Sequence, residues 1–278
     1  MTGYILSLLL ISALGHAGWN AISKQVTEKD TFFTIIIGLA VILYLPLAIY
    51  LLLQQPIPWE AYFYMAGSTI CELIYFWGLA HAYRQLPFSY AYPIVRGLGP
   101  LVSTFLSFFL GAALTWIGFG GILLVVAGIL LMQFSGKFTL ETGAGWAFLA
   151  GAINGGAITF DSMGAAMMSG MLFKYIVFIG ILLGKMMMDR ISFREYKRVF
   201  LLYKGKAVVG ALLTFGANAV TQFALQSTPV GYVSATRELS IAFGTLIGWL
   251  FFKEELKKNH YIGIGILILG ILLIKLGG

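Results

Sequence analysis

Three charged residues lie inside long apolar stretches of the chain: Arg96, Arg237 and Glu238. An arginine inside a membrane helix costs about 3 kcal/mol by insertion scales, so each should face a cavity or a partner. Two uses follow. The guanidinium groups could bind a carboxylate or phosphonate, because arginine presents a planar fork to such anions. Alternatively, Arg96 and Glu238 form a structural ion pair, which leaves Arg237 for a ligand.

Two further acidic residues lie in apolar stretches, Glu72 and Asp161. Helical spacings of three and four put Tyr75 and Phe76 on the face of Glu72. Burial disfavours the charged form of a carboxyl group, so Glu72 could couple a cargo to protons. The alternative is that Glu72 pairs with Arg96 or Arg237. Asp161 is either a second proton site or a residue that only approaches the membrane surface.

Polar side chains without a formal charge are rare in this chain, and those inside apolar segments could line a wet cavity. His16 is grouped with them because it shares one helical turn with a tryptophan and an asparagine, and it is also a candidate for proton coupling. Single interhelical hydrogen bonds, worth about 0.6 kcal/mol each, are the alternative reading. The candidates are His16, Trp19, Asn20, Asn154, Asn218 and Gln222.

The sequence contains no recognisable catalytic constellation. Three separated histidines and the single cysteine, Cys71, do not have the spacing of metal ligands. Neither a GxSxG nor a Walker A motif is present. We therefore predict no enzyme activity, no metal and no cofactor.

Composition indicates an integral membrane protein. Of the 278 residues, 59% are hydrophobic and 10% charged, whereas soluble domains carry about 25% charged residues. The net charge of +7 comes from basic residues that cluster in short connections, which is typical of membrane topology. The predicted partners are therefore the lipid bilayer and a small-molecule substrate, with no nucleic acid.

A helix needs about 20 apolar residues to cross the hydrocarbon core. The apolar runs are long and do not alternate, so the predicted fold is all-α, with ten transmembrane helices. These helices are predicted at 4–23, 31–53, 60–82, 87–110, 113–133, 145–168, 171–188, 206–226, 229–252 and 259–276.

The chain repeats itself. Residues 86–132 align without a gap on 228–274, a shift of 142 residues (228 − 86) that places Arg96 on Glu238. Five helices per half is an odd number, so the halves should cross the bilayer in opposite senses. We predict a 5+5 inverted-topology repeat with units at 1–138 and 139–278, and a substrate site between them near the midplane.

Glycines and prolines give two further predictions. The repeated glycines of helices 5 and 10 should permit close packing: Gly121, Gly128, Gly263 and Gly270. Pro93 and Pro100 flank Arg96 and predict a broken or kinked helix 4. Helix 9 has no internal proline and is expected to be intact.

Basic residues lie mostly on one side of the predicted bilayer, with only Lys174 and Lys275 opposite. The positive-inside rule puts the basic side in the cytoplasm and both termini outside. The charged stretch Asp189 to Lys206 is predicted to be a surface connection.

Both halves of the chain, residues 1–138 and 139–278, resemble the EamA repeat of the drug/metabolite transporter superfamily, so the resemblance covers the whole chain. The resemblance rests on an apolar stretch, a turn with Glu254 and Leu256, and Gly263 and Gly270 after it. The first half departs from it, with Ala112 in place of the acidic residue. The superfamily usually has its termini inside, opposite to the charge bias. Segments around His16, Arg96 and Arg237 resemble a bacterial subgroup associated with phosphonate utilisation.

The resemblance implies a central cavity lined by helices 1, 3, 4, 6, 8 and 9, in the inner membrane of a bacterium. We expect a secondary transporter that works by alternating access as a monomer. Its cargo would be a small polar metabolite, and an anionic one would match Arg237 and Arg96, with Trp19, Asn20 and Tyr75 around it.

Two other functions stay open at this point. One is a proton-coupled exporter of aromatic or cationic compounds, with Glu72 as the binding anion. The other belongs to a different class, a non-transporting membrane protein such as a lipid scramblase or a sensor subunit.

Overall fold

The computed structural model describes residues 1–86, 88–112, 114–133, 142–253 and 255–277, without the side chains of residues 88–90 and 133. Within these ranges every regular element is a helix. The helices are α1 (Gly3–Lys24), α2 (Lys29–Gln54), α3 (Trp59–Gln85), α4 (Phe88–Phe109), α5 (Trp116–Gln133), α6 (Ala144–Ala165), α7 (Gly170–Asp189), α8 (Phe193–Leu225), α9 (Val230–Arg237), α10 (Leu239–Phe252) and α11 (Lys258–Gly277).

The helices agree with the predicted ones, because α9 and α10 together occupy predicted helix 9. Glu254 and the predicted boundary between residues 138 and 139 lie outside the described residues. The predicted two-unit division therefore stays a prediction.

The break considered for helix 4 does not occur, because α4 runs from Phe88 to Phe109 with Pro93 and Pro100 inside it. The interruption lies instead in predicted helix 9, at Glu238 between α9 and α10. Glu238 keeps right-handed helical angles, and its amide donates to Ala235 and Thr236. The chain therefore tightens there without unwinding.

The charged stretch Asp189 to Lys206 is more ordered than predicted, because most of it is the first part of α8. Ser192 caps this helix by accepting a hydrogen bond from the Glu195 amide. Tyr203 departs from helical angles and separates this charged part from the apolar remainder. Arg198 joins it to the α1–α2 connection through an ion pair with Glu28 at 3.1 Å.

Within the described ranges, the helices long and apolar enough to cross a membrane by length and composition are α1, α2, α7, α8 and α11. A shorter apolar helix lies within α5. The helices outside this group include α3, α4, α6 and the α9–α10 pair, which carry Glu72, Arg96, Asp161 and Arg237. Embedded charge and small polar residues lower their hydropathy, as is usual for helices that line a polar interior.

Helix contacts follow a twofold relation between the halves. The contact of α3 with α6 has its counterpart in α8 with α1, and that of α2 with α8 in α7 with α3. Three pairs contact their own counterparts: α2 with α7, α4 with α9, and α5 with α11. An axis that relates the two halves would pass through these three pairs.

The self-paired helices run antiparallel. In the α2–α7 pair, Thr34 donates to Asp189, whereas the Tyr175 hydroxyl donates to the Val41 carbonyl. In α5 and α11, a Cβ added at Gly121 would lie 2.6 Å from the Gly270 carbonyl oxygen. Equivalent helices that meet antiparallel are what an inverted repeat requires.

The four repeated glycines all lie at the α5–α11 contact. A Cβ added at Gly128 would lie 2.7 Å from the Gly263 carbonyl oxygen, so Gly128 faces Gly263 as Gly121 faces Gly270. These distances leave no room for a methyl group. The packing role predicted for the glycines is confirmed, since small residues allow backbones to approach closely in lipid.

Replacing Gly128 or Gly270 with alanine should separate α5 from α11 and lower the free energy of unfolding by about 1–3 kcal/mol, the usual cost of overpacking. The measurement is thermal unfolding in detergent. Gly120→Ala and Gly265→Ala are matched controls, because a Cβ at either position meets nothing within 4 Å. Equal stability of the contact variants and the controls would contradict the close approach.

Candidate functional site

The α4–α9 crossing is joined by an ion pair between repeat-equivalent positions. Arg96 Nε lies 2.9 Å from Glu238 Oε2, with side-chain exposures of 16% and 7%. Arg96 also donates to the Ser240 hydroxyl at 3.0 Å, and its guanidinium lies 5.9 Å from the centre of the Tyr92 ring. The Arg96 guanidinium is therefore paired and hydrogen-bonded within the protein, at the contact between the two halves.

A second buried assembly joins α3, α6 and α7 around Lys174. Lys174 Nζ lies 2.6 Å from Asp161 Oδ2 and 3.2 Å from Glu72 Oε1. The Ser68 hydroxyl donates to the other Asp161 oxygen at 2.6 Å. Asp161 is thus held by two short donors, whereas Glu72 shares one ammonium group and keeps 17% of its side chain exposed.

Lys174 corrects two predictions. The sequence puts it with Lys275 on the side opposite the basic connections, but its side chain is only 2% exposed and faces two carboxylates, so it says little about orientation. For Glu72, the alternative of a pair with Arg96 or Arg237 is wrong in the described part of the chain, because its ion-pair partner is Lys174. One sequence signal points to a buried cation: Glu72 and Asp161 are two acidic residues in apolar segments to which no basic partner had been assigned.

Arg237 differs from the other embedded cations. Among the described residues it forms no ion pair or hydrogen bond, although it is half-buried. Its charge interacts at longer range with Arg96, Glu238, Asp161 and Glu72. A half-buried guanidinium without a contacting partner is the main chemical feature of this site, because such groups are ordinarily paired.

A series of rings connects α1 with α3 beside these charges. Trp19 lies 5.7 Å from Phe33, Phe33 lies 4.9 Å from Phe76, and Phe76 lies 5.2 Å from Tyr75, measured between ring centres. His16 Nδ1 accepts a hydrogen bond from Trp19 Nε1, which leaves the imidazole neutral in this arrangement. Phe33 and Phe76 also lie over the Lys185 ammonium group, at 5.8 and 5.5 Å from Nζ to the ring centre, so the middle of this series faces the end of α7.

The amide candidates do not share one environment. Asn154 approaches α4 so closely that a Cβ at Gly99 would lie 2.9 Å from its Oδ1 atom. Asn20 is exposed and Asn218 half-buried, and each donates to a backbone carbonyl of its own helix. Gln222 is fully buried, beside Gly170, and its Oε1 atom accepts no hydrogen bond. Gln222 therefore lies at the contact between α7 and α8.

In the part of the chain that the structure describes, every regular element is a helix, the exterior is apolar and charged residues lie at helix contacts, as in an integral membrane protein. Residues 141–276, the second half of the chain, match the sequence profile of the EamA-like transporter family. This match supports membership of the drug/metabolite transporter superfamily and a membrane transporter of that type.

Solved structures agree with this fold. Twenty-nine chains of known structure match. One of these matches is a crystal structure with a TM-score of 0.72. The alignment covers 99% of this chain and 98% of the chain in that crystal structure. At 15% sequence identity, that likeness concerns the fold alone. No curated protein sequence matches the chain.

Replacing Lys174 with glutamine should destabilise the protein by about 3–5 kcal/mol, because it leaves two buried carboxylates without a cation. The double variant Lys174→Gln with Asp161→Asn should recover much of that loss, since Glu72 then remains as the single charge of the group. Thermal unfolding in detergent measures both variants. A single variant as stable as the original protein would contradict the triad.

Proposed function

We propose that the protein is a secondary transporter that carries a small polar metabolite across a bacterial inner membrane by alternating access. The match to the EamA-like transporter family supports this proposal. The antiparallel pairing of equivalent helices also supports it, because inverted repeats are the plan on which many secondary transporters are built. Their substrate sites lie between the repeats, where the embedded charges of this chain are found.

Arg237 is the observation that carries the proposal. Arg96 is neutralised by Glu238 at 2.9 Å, whereas Arg237 has no contacting partner in the described part of the chain. A guanidinium group in that position attracts an anionic group of the cargo, with two parallel hydrogen bonds available. Trp19, Tyr75 and Asn154 would surround the rest of the molecule.

Coupling to protons would use Glu72 in preference to Glu238. Glu238 is held by Arg96 at the contact between the halves. Glu72 is more exposed and shares its ammonium partner with Asp161, so it is better placed to exchange a proton or a ligand. A chain that already contains two equivalent halves needs no second copy to form the site, and a monomer is the proposed functional unit.

The exporter of aromatic or cationic compounds is the second candidate. The rings of Tyr75 and Phe76 favour it, because spacings of three and four put them on the Glu72 face of α3. In that case transport should depend on Glu72 and tolerate the loss of charge at Arg237.

Arg237→Gln should lower saturable uptake into proteoliposomes by about 10- to 100-fold, since a hydrogen bond to a charged group contributes about 1.5–3 kcal/mol. The assay is counterflow with labelled amino acids, carboxylic acids and quaternary amines. Arg237→Lys keeps the charge and should retain part of the flux, and Gly120→Ala serves as a distant control.

Unchanged uptake in Arg237→Gln, together with loss of uptake in Glu72→Gln, would transfer the proposal to the cation exporter. The absence of saturable flux for every solute class would contradict transport altogether and favour a scramblase or a sensor subunit.

A further inference from the structure

The embedded charges of the site balance as a group. The three cations and three anions are Arg96, Lys174, Arg237, Glu72, Asp161 and Glu238. Lys185 and Asp189 form a separate ion pair at 3.0 Å near the end of α7 and do not alter this balance. His16 adds no charge, because its Nδ1 atom accepts the Trp19 hydrogen bond.

The balance is not uniform within the site. Arg96 and Glu238 cancel each other at 2.9 Å. Lys174 meets two carboxylates, so its group keeps one negative charge. Arg237 keeps one positive charge. The internal pairs therefore leave one unneutralised charge of each sign.

The excess negative charge resides on Glu72. Asp161 receives Lys174 at 2.6 Å and Ser68 at 2.6 Å, and it is buried. Glu72 is farther from the ammonium group, at 3.2 Å, and more exposed. Lys174 thus neutralises Asp161 first, and Glu72 is the carboxylate left open to a second cation.

Arg237 does not supply that cation in this structure. It acts on Glu72 and Asp161 at longer range only, and no ion pair joins them across the described residues. A cargo with a single negative charge would satisfy Arg237 and leave Glu72 unneutralised in a medium where charge is costly. A cargo with a single positive charge would satisfy Glu72 and leave the charge of Arg237 unneutralised.

On the basis of the transport function proposed above, we propose that the cargo is a zwitterion that binds with its anionic group at Arg237 and its cationic group at Glu72. Such a molecule satisfies both open charges at once and is neutral as a whole. Lys174 acts as a positioning residue, because it holds Asp161 and keeps Glu72 available. The ring of Tyr75, which shares a face of α3 with Glu72, would contact the body of the cargo.

The test is a thermal-shift and counterflow comparison with the full-length protein in detergent and in liposomes. The zwitterionic probes are glycine, β-alanine, 4-aminobutyrate and phenylalanine, which vary the separation of the two charges and the apolar bulk. The N-acetyl derivative of phenylalanine carries only the anion, and its methyl ester only the cation. A ligand that binds the folded state raises the unfolding temperature by mass action.

At least one zwitterion should stabilise the protein and be transported, whereas both derivatives bind at least tenfold more weakly. Glu72→Gln should shift the preference toward the N-acetyl anion, and Arg237→Gln toward the ester. Glu72→Asp and Arg237→Lys, which keep the charges, should keep the preference for zwitterions. Lys174→Gln with Asp161→Asn should also keep that preference, because the group retains one negative charge.

Equal binding of phenylalanine and its N-acetyl derivative by the original protein would overturn the proposal that the cargo is a zwitterion. Saturable flux of the N-acetyl anion would leave the proposed transport function intact. A variant Glu72→Gln with the original preference would overturn the role of Glu72. If no probe binds or is transported, the zwitterion proposal is overturned. Only the absence of saturable flux across all solute classes counts against transport itself.

Discussion

The structure depends on one constraint: an ionised group inside the apolar part of a membrane protein needs a counter-charge. Moving such an ion out of water costs several kcal/mol even after relaxation, and the attraction of a well-placed partner offsets this cost. Arg96 meets Glu238 across the contact between the halves, and Lys174 meets Asp161 and Glu72 across three helices. These contacts fix how α3, α4, α6, α7 and α9 lie against one another.

The repeat explains why the charges meet where they do. Positions related by the 142-residue shift can contact each other only where the two halves face their own counterparts, and Arg96 and Glu238 are such a pair. The glycine contacts of α5 and α11 are exchanged by the same shift: Gly121 contacts Gly270, and their equivalents Gly263 and Gly128 contact each other. One contact joins the halves through charge, and the other through close backbone packing. A transporter needs both a stable contact and one that can rearrange, and the charged contact lies at the site.

Much of the fold could be predicted from the sequence, because apolar length and the repeat determine the helices and their pairing. The break in predicted helix 9 could not be predicted, because the chain tightens at Glu238 without a proline or glycine. Conversely, α4 accommodates Pro93 and Pro100 without a break. The position of Lys174 was also missed: a lysine near a predicted helix end resembles a surface residue, and only packing places it beside Asp161. Side-chain pairing across helices depends on rotation about each helix axis, which hydrophobicity alone determines poorly in a chain this apolar.

The most direct test of the account is a structure of the protein with a bound zwitterion from the probe set, determined in a lipid nanodisc at a resolution that orients the cargo. The account predicts the anionic group within hydrogen-bonding distance of the Arg237 guanidinium and the cationic group beside Glu72, with the Arg96–Glu238 and Lys174–Asp161 pairs retained. A cargo bound away from both residues, with Arg237 paired directly to Glu72, would contradict it.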